Sequence, residues 1–194
     1  MDFILDYAIN KISIHNKADD FDKELVRYGL EILLIRSIYT ICSIVISAVF
    51  RCFWECIVFL MAFSAIRTSA GGYHAKTRVQ CFLMSMVMII INISIVKLVT
   101  HYIPIYYAMI PLALMSGVVI WYLSPVDTEN RPLEHDEKIR FKKRARFILC
   151  LELLSVIIME ILNLRITTSV IMLATIFMAI LLIMELIMKR KNNE

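Results

Sequence analysis

Residues 102–123 read YIPIYYAMIPLALMSGVVIWYL, and residues 166–184 read ITTSVIMLATIFMAILLIM. Neither stretch holds an Asp, Glu, Lys or Arg. A helix rises about 1.5 Å per residue, so each is long enough to cross roughly 30 Å of hydrocarbon. The two stretches therefore fix the class as an all-α polytopic membrane protein. Composition agrees: of 194 residues 60% are hydrophobic and the mean hydropathy is +0.74, more apolar surface than a water-soluble domain needs.

The chain holds six apolar runs, at about 30–50, 52–66, 81–99, 102–123, 147–164 and 166–184. Two are weaker than the rest. The second is short and contains Glu55, and the fifth carries Glu152 and Glu160, so either also reads as a segment surrounded by protein rather than lipid. Lys and Arg near span ends stay in the cytoplasm during insertion, which offers an independent test. With six spans, seventeen of the 21 basic residues fall on the side of the termini, seven of them in the loop and helix start from Arg131 to Arg146. Arg51, Lys97 and Arg165 fall on the other side, and Arg36 lies within the first run. The expectation is about six spans with both termini cytoplasmic.

Residues 1–29 precede the first span. Asp2, Asp6, Asn10, Ser13 and Lys17 recur at helical spacing opposite Phe3, Ile4, Leu5, Ile9 and Ile12, the pattern of an interfacial amphipathic helix or of a short helix packed on the spans. Five aspartates among the first 22 residues are unlike a secretory signal. No linker, repeat or low-complexity tract divides the chain, so residues 1–194 read as one membrane domain. The net charge of +4 resides in loops and not on a folded basic groove, which gives no footing for nucleic acid.

The chemistry-bearing segment joins the second and third runs: RTSAGGYHAKTRVQC, Arg67 to Cys81. Gly71 and Gly72 permit positive φ and close backbone approach. His74 follows two residues later, and Cys81 opens the third run. A helix start flanked by Lys76 and Arg78 is an environment that favours thiolate, so the pair fits a nucleophile and its general base. On a straight helix seven residues place them about 10 Å apart along the axis, too far for a nucleophile–base hydrogen bond of about 3 Å. Within one chain, a turn after Gly71-Gly72 must bring His74 back over the start of the third span. Contact across a homodimer interface is the other solution. Taken singly, an interfacial histidine and a cysteine at a span start are ordinary residues. Cys42, Cys52, Cys56 and Cys150 have no histidine near them in sequence, and with five cysteines no disulfide framework is expected. The Cys-x-x-Cys and His-Glu-x-x-His spacings of a zinc site are missing, so no metal or other cofactor is called for.

The same segment, the chain length and the later SPVDTENRPL stretch from Ser124 to Leu133 with its basic sequel together resemble the accessory gene regulator B family over essentially the whole chain. The resemblance implies a membrane cysteine endopeptidase of Gram-positive quorum sensing. Such an enzyme cuts the C-terminal part from a short propeptide, one with an amphipathic leader and an acidic tail, and promotes closure to a thiolactone or lactone signal peptide. By motif position His74 and Cys81 are then the catalytic pair, with Arg67, Gly71 and Gly72 beside them to bind or position substrate.

Local oxyanion donors are the amides of Gly71, Gly72 and Cys81 and the Gln80 side chain. Asp127 and Asn130 could orient His74, or serve only as turn residues beside Pro125 and Pro132. Arg67 is a candidate for a substrate carboxylate. The basic run from Lys138 to Arg146 is explained by topology and anionic lipid, and it also suits an acidic peptide tail. A non-catalytic transporter component or scaffold is the alternative class, and Glu55, Asn92, Glu152 and Glu160 are the intramembrane polar residues it would use.

Overall fold

The computed structural model describes residues 20–73, 77–126 and 134–192. They form six helices: α1 (Asp20–Val49), α2 (Phe53–Ala70), α3 (Arg78–His101), α4 (Ile103–Leu123), α5 (His135–Ile161) and α6 (Arg165–Asn192). Among the described residues there is no strand, only an isolated parallel bridge between Gly71 and Val126. Five helices are long and apolar enough to cross a membrane, α5 being the exception. The second run, short on sequence, continues helically through Arg67 to Ala70 and so joins the five. The proposed amphipathic helix lies mostly outside the described residues. From Asp20 onward the chain already belongs to α1, so residues 20–29 are continuous with the first span.

The fifth run differs most from expectation. Its helix reaches back through the whole basic run to His135, giving α5 a charged half and an apolar half. Ala145, Leu149 and Glu152 are buried along one helical stripe. Both of its glutamates find partners on neighbouring helices: the Thr175 hydroxyl of α6 donates to Glu152 Oε2 at 3.3 Å, and the Tyr106 hydroxyl of α4 donates to Glu160. Glu152 is therefore turned to protein, while Glu160 is exposed near the end of the helix with Tyr106 as its partner.

The chain divides into two compact units, Met1–Val45 and Ile46–Glu194. In the first, α1 exposes Leu33, Ile38, Ile41 and Val45. The hydroxyls of Ser37, Thr40 and Ser43 donate to carbonyls four residues back, satisfying polar groups on an apolar helix. The second unit is organised on α6, two-thirds of whose span is buried and which packs on α2, α3, α4 and α5. One core cluster joins Ile66, Ala70, Ile120, Val126, Leu149, Met178 and Leu182. Another, toward the start of α6, joins Val99, Tyr106, Met109, Ala113, Met172 and Ile176. Where α1 gives way to α2, Lys97 of α3 lies 4.8 Å over the Phe50 ring.

Candidate functional site

Helix α2 ends because two glycines follow it. Gly71 has φ +77° and Gly72 φ +103°, both in the region that favours glycine. The Gly71 N–H closes the last turn on the Arg67 carbonyl at 3.3 Å, and Val126 N–H donates to the Ala70 carbonyl at 3.1 Å. This brings the chain after α4 alongside the chain after α2. A Cβ on Gly71 would collide with the Val126 carbonyl oxygen, so the close approach requires glycine as much as the φ does.

Arg67, one turn before Gly71, folds its guanidinium around the elbow. Nη1 donates to the Gly71 carbonyl at 3.2 Å, and Nη2 donates to the Tyr73 carbonyl. The planar fork thus holds two carbonyls across the turn. A Cβ on Gly72 would sit 2.8 Å from Nη1 and 3.3 Å from the Met178 methyl carbon, leaving little space between the fork and α6. The Tyr73 N–H then donates to the Leu181 carbonyl of α6 at 3.1 Å. The guanidinium expected to receive a substrate carboxylate is here engaged with the chain's own backbone carbonyls.

His74 lies outside the described residues, as do Asp127 and Asn130. The chain is described again at Thr77, in extended conformation, whose hydroxyl accepts from the Gln80 N–H at 3.2 Å and caps α3. Helix therefore does not run from His74 to Cys81, as a joint role within one chain demands. Cys81 sits half-buried in the first turn of α3. Two expected oxyanion donors have other partners: the Cys81 N–H bonds the Thr77 carbonyl at 3.1 Å, and the Gly71 N–H bonds Arg67. Of the local candidates, the Gly72 amide and the exposed Gln80 side chain are left. Ser69 and Ser124, both buried beside this elbow, have hydroxyls without a hydrogen-bond partner among the described residues.

None of the five cysteines is in a disulfide. Burial pushes the Cys52 thiol up and the Glu55 carboxylate adds to this, with Lys97 opposing. That makes it a poor nucleophile. Cys56 is fully buried. In the basic half of α5, Arg146 is drawn onto Trp121, 4.6 Å over the ring and 3.4 Å from its carbonyl. Arg140, Lys143 and Arg144 are exposed.

The accessory gene regulator B family model matches residues 5–185, spanning α1 to α6 and the whole elbow. The chain belongs to the accessory gene regulator B family. It is 29% identical over 160 residues to an AgrB-like protein of Clostridium perfringens, covering 76% of this chain and 73% of that one. It is 26% identical to accessory gene regulator protein B of Staphylococcus saprophyticus, over 84% and 83% of the two chains. It is 23% identical to protein FsrB of Enterococcus faecalis, over 78% and 62%. No solved structure matches the chain. For this AgrB-family member, sequence reasoning identified the two glycines but missed Val126 and Leu181, the backbone partners that hold the elbow. Neither carries a local signal, since each acts through main chain and is brought in by tertiary packing. Arg67 was singled out for its charge, while its four-residue spacing to Gly71 pointed to what it touches.

Proposed function

We propose that this protein is a membrane cysteine endopeptidase that cuts a short quorum-sensing propeptide and promotes its closure to a thiolactone or lactone. The observation that supports this best is the elbow. Arg67 and Leu181 hold the main chain as far as Tyr73, and four residues later a capped helix begins with Cys81 in its first turn. His74, next after Tyr73, leaves a fixed point, which suits a base that must meet a nucleophile on the following helix.

In this reading the Cys81 sulfur attacks the scissile carbonyl, and His74 accepts the thiol proton and returns it to the departing amine. The acyl group is left as a thioester on Cys81. Attack on that thioester by a cysteine or serine side chain of the bound peptide closes the ring and releases Cys81, whereas water gives a linear product. Exclusion of water at the membrane edge favours the ring. The exposed cations of α5, Arg140, Lys143 and Arg144, suit an acidic peptide tail. The apolar half of α5 supplies the sixth crossing, which puts both termini and the elbow on the cytoplasmic side, as the segregation of basic residues favours.

Co-expression with a tagged propeptide tests the reading. Wild type is expected to release the C-terminal fragment, and Cys81→Ala and His74→Ala are each expected to leave the propeptide intact at normal membrane levels of the protein. Cleavage that survives both substitutions sinks the proposal.

A further inference from the structure

The proposed reaction leaves unused a second polar cluster, at the turn between α5 and α6. Tyr106, in the first turn of α4, is 1% exposed, and its hydroxyl donates to the carboxylate of Glu160 near the end of α5. Thr168 of α6 lines the same space, its hydroxyl donating to the Leu164 carbonyl at 3.0 Å, and Arg165 opens α6 on the other side of the Leu162–Leu164 turn. From this cluster a cavity of about 270 Å³ runs between α4, α5 and α6 along apolar walls formed by Ile110, Ala113, Leu153 and Met172. It is not closed. Leu114, Ile157 and Ile161, which also line it, are 58%, 57% and 73% exposed, so the cavity opens sideways, off the bundle.

In a membrane that opening faces lipid, and the occupant must suit both parts of the groove. Its body must be apolar, because the walls offer no hydrogen bonds between Thr168 and Thr175. Its polar end meets Glu160, which lines the cavity, and Arg165, which is exposed at the start of α6 just across the Leu162–Leu164 turn, so charges of both signs suit it. A purely anionic headgroup would suit Arg165 but be repelled by Glu160. A quaternary ammonium would bring positive charge but no N–H for the carboxylate to accept. A primary ammonium next to a phosphate satisfies both residues with charge-assisted hydrogen bonds.

We propose that the groove between α4, α5 and α6 binds a phospholipid whose headgroup carries a primary ammonium. Glu160, oriented by Tyr106, takes the ammonium, Arg165 takes the phosphate, and one acyl chain fills the cavity. The inference needs only the membrane setting and is independent of the peptidase reading.

Native mass spectrometry of the full-length protein, loaded in turn with dioleoyl phosphatidylethanolamine, phosphatidylcholine and phosphatidylglycerol, tests it with the acyl chains held constant. Wild type is expected to retain the ethanolamine lipid severalfold better than the other two. Glu160→Gln is expected to bring the three to parity, and Leu114→Trp, which fills the groove, to lower all three. Leu83→Trp, on the exposed face of α3, is expected to change none of them. Equal retention by wild type, preference for phosphatidylglycerol, or a preference that survives Glu160→Gln overturns the proposal. So does a dimer that sheds all three lipids, since a second copy would then cover the groove. If Glu160→Gln fails to fold, judged by helical circular dichroism and gel filtration, Leu114→Trp and Leu83→Trp decide the matter. Equal loss from both overturns the site.

Discussion

The two ends of α6 are built from different materials. Toward Asn192, at Met178 and Leu181, the helix meets the Gly71-Gly72 elbow, where the contacts run mainly through main chain: Ala70 to Val126, Tyr73 to Leu181, and the Arg67 fork on two carbonyls. Toward Arg165 it meets Tyr106 and Glu160, where the contacts run side chain to side chain across an apolar groove. Main-chain contacts hold one path of the chain and depend on residue identity chiefly where a Cβ would block the approach, as at Gly71 and Gly72. Side-chain contacts around an open groove can be altered singly while the helices stay in register. The first end carries the proposed reaction site, the second the proposed lipid groove.

The largest expected effect separates the ends in space. In a background without native cysteines, Glu134→Cys and Leu164→Cys each place one exposed thiol, beside the start of α5 and in the α5–α6 turn. A membrane-impermeant maleimide applied to intact cells is expected to label position 164 and to reach position 134 only after permeabilisation. Labelling of both from outside would mean that the apolar half of α5 does not cross.

Next come the glycines. Both Gly71→Ala and Gly72→Ala force a non-glycine residue to positive φ, but Gly71→Ala also drives its Cβ onto a backbone oxygen, whereas Gly72→Ala meets mainly the movable end of Arg67. Positive φ alone costs about 1–3 kcal/mol. Gly71→Ala is expected to abolish propeptide cleavage and lower the thermal midpoint clearly. Gly72→Ala should lose less of both. The reverse order in a side-by-side cleavage and melting assay would show that the Val126 approach does not govern the elbow.

How far the two ends were legible in the sequence follows the same division. The pair Gly71-Gly72 announced a turn with positive φ, and the seven-residue gap from His74 to Cys81 called for a break in the helix if the two work within one chain, because both follow from local geometry. The uninterrupted run at 102–123 matches α4 almost to the residue and the run at 166–184 matches the start of α6, which continues past Met184 through Glu185 and the terminal basic residues to Asn192, since length and lack of charge suffice to recognise a crossing helix but not where it stops. Val126, Leu181 and the Tyr106–Glu160 pair were not legible, because they depend on which helices become neighbours. Glu152 and Glu160 made the fifth run look weak for the same reason: a one-dimensional reading cannot tell an acid facing lipid from one facing Thr175 or Tyr106.

A smaller effect is expected from altering the fork without removing its charge. Arg67→Lys keeps a cation but offers a single ammonium where the guanidinium spans two carbonyls. Cleavage is expected to fall by about ten- to a hundredfold, the range for a misplaced catalytic group, chiefly in kcat, with KM nearly unchanged. A rise in KM with kcat preserved would instead make Arg67 a direct partner of the substrate carboxylate, with the elbow held by its other bonds.

The smallest effect belongs to the other end. Tyr106→Phe removes one hydroxyl and leaves the ring packed against Met109 and Met172. Losing a hydrogen bond to a charged group costs about 1.5–3 kcal/mol when the remaining partner stays buried. Glu160 is exposed and can be solvated, so the cost here should lie at or below the bottom of that range. Propeptide cleavage is expected to stay near wild type, because among the described residues Tyr106 shares no hydrogen bond or core cluster with the elbow, while the thermal midpoint drops slightly. Loss of cleavage in a well-folded Tyr106→Phe protein would mean that the two ends communicate along α6. The division between a main-chain reaction site and a side-chain lipid groove would then have to give way to a single coupled device.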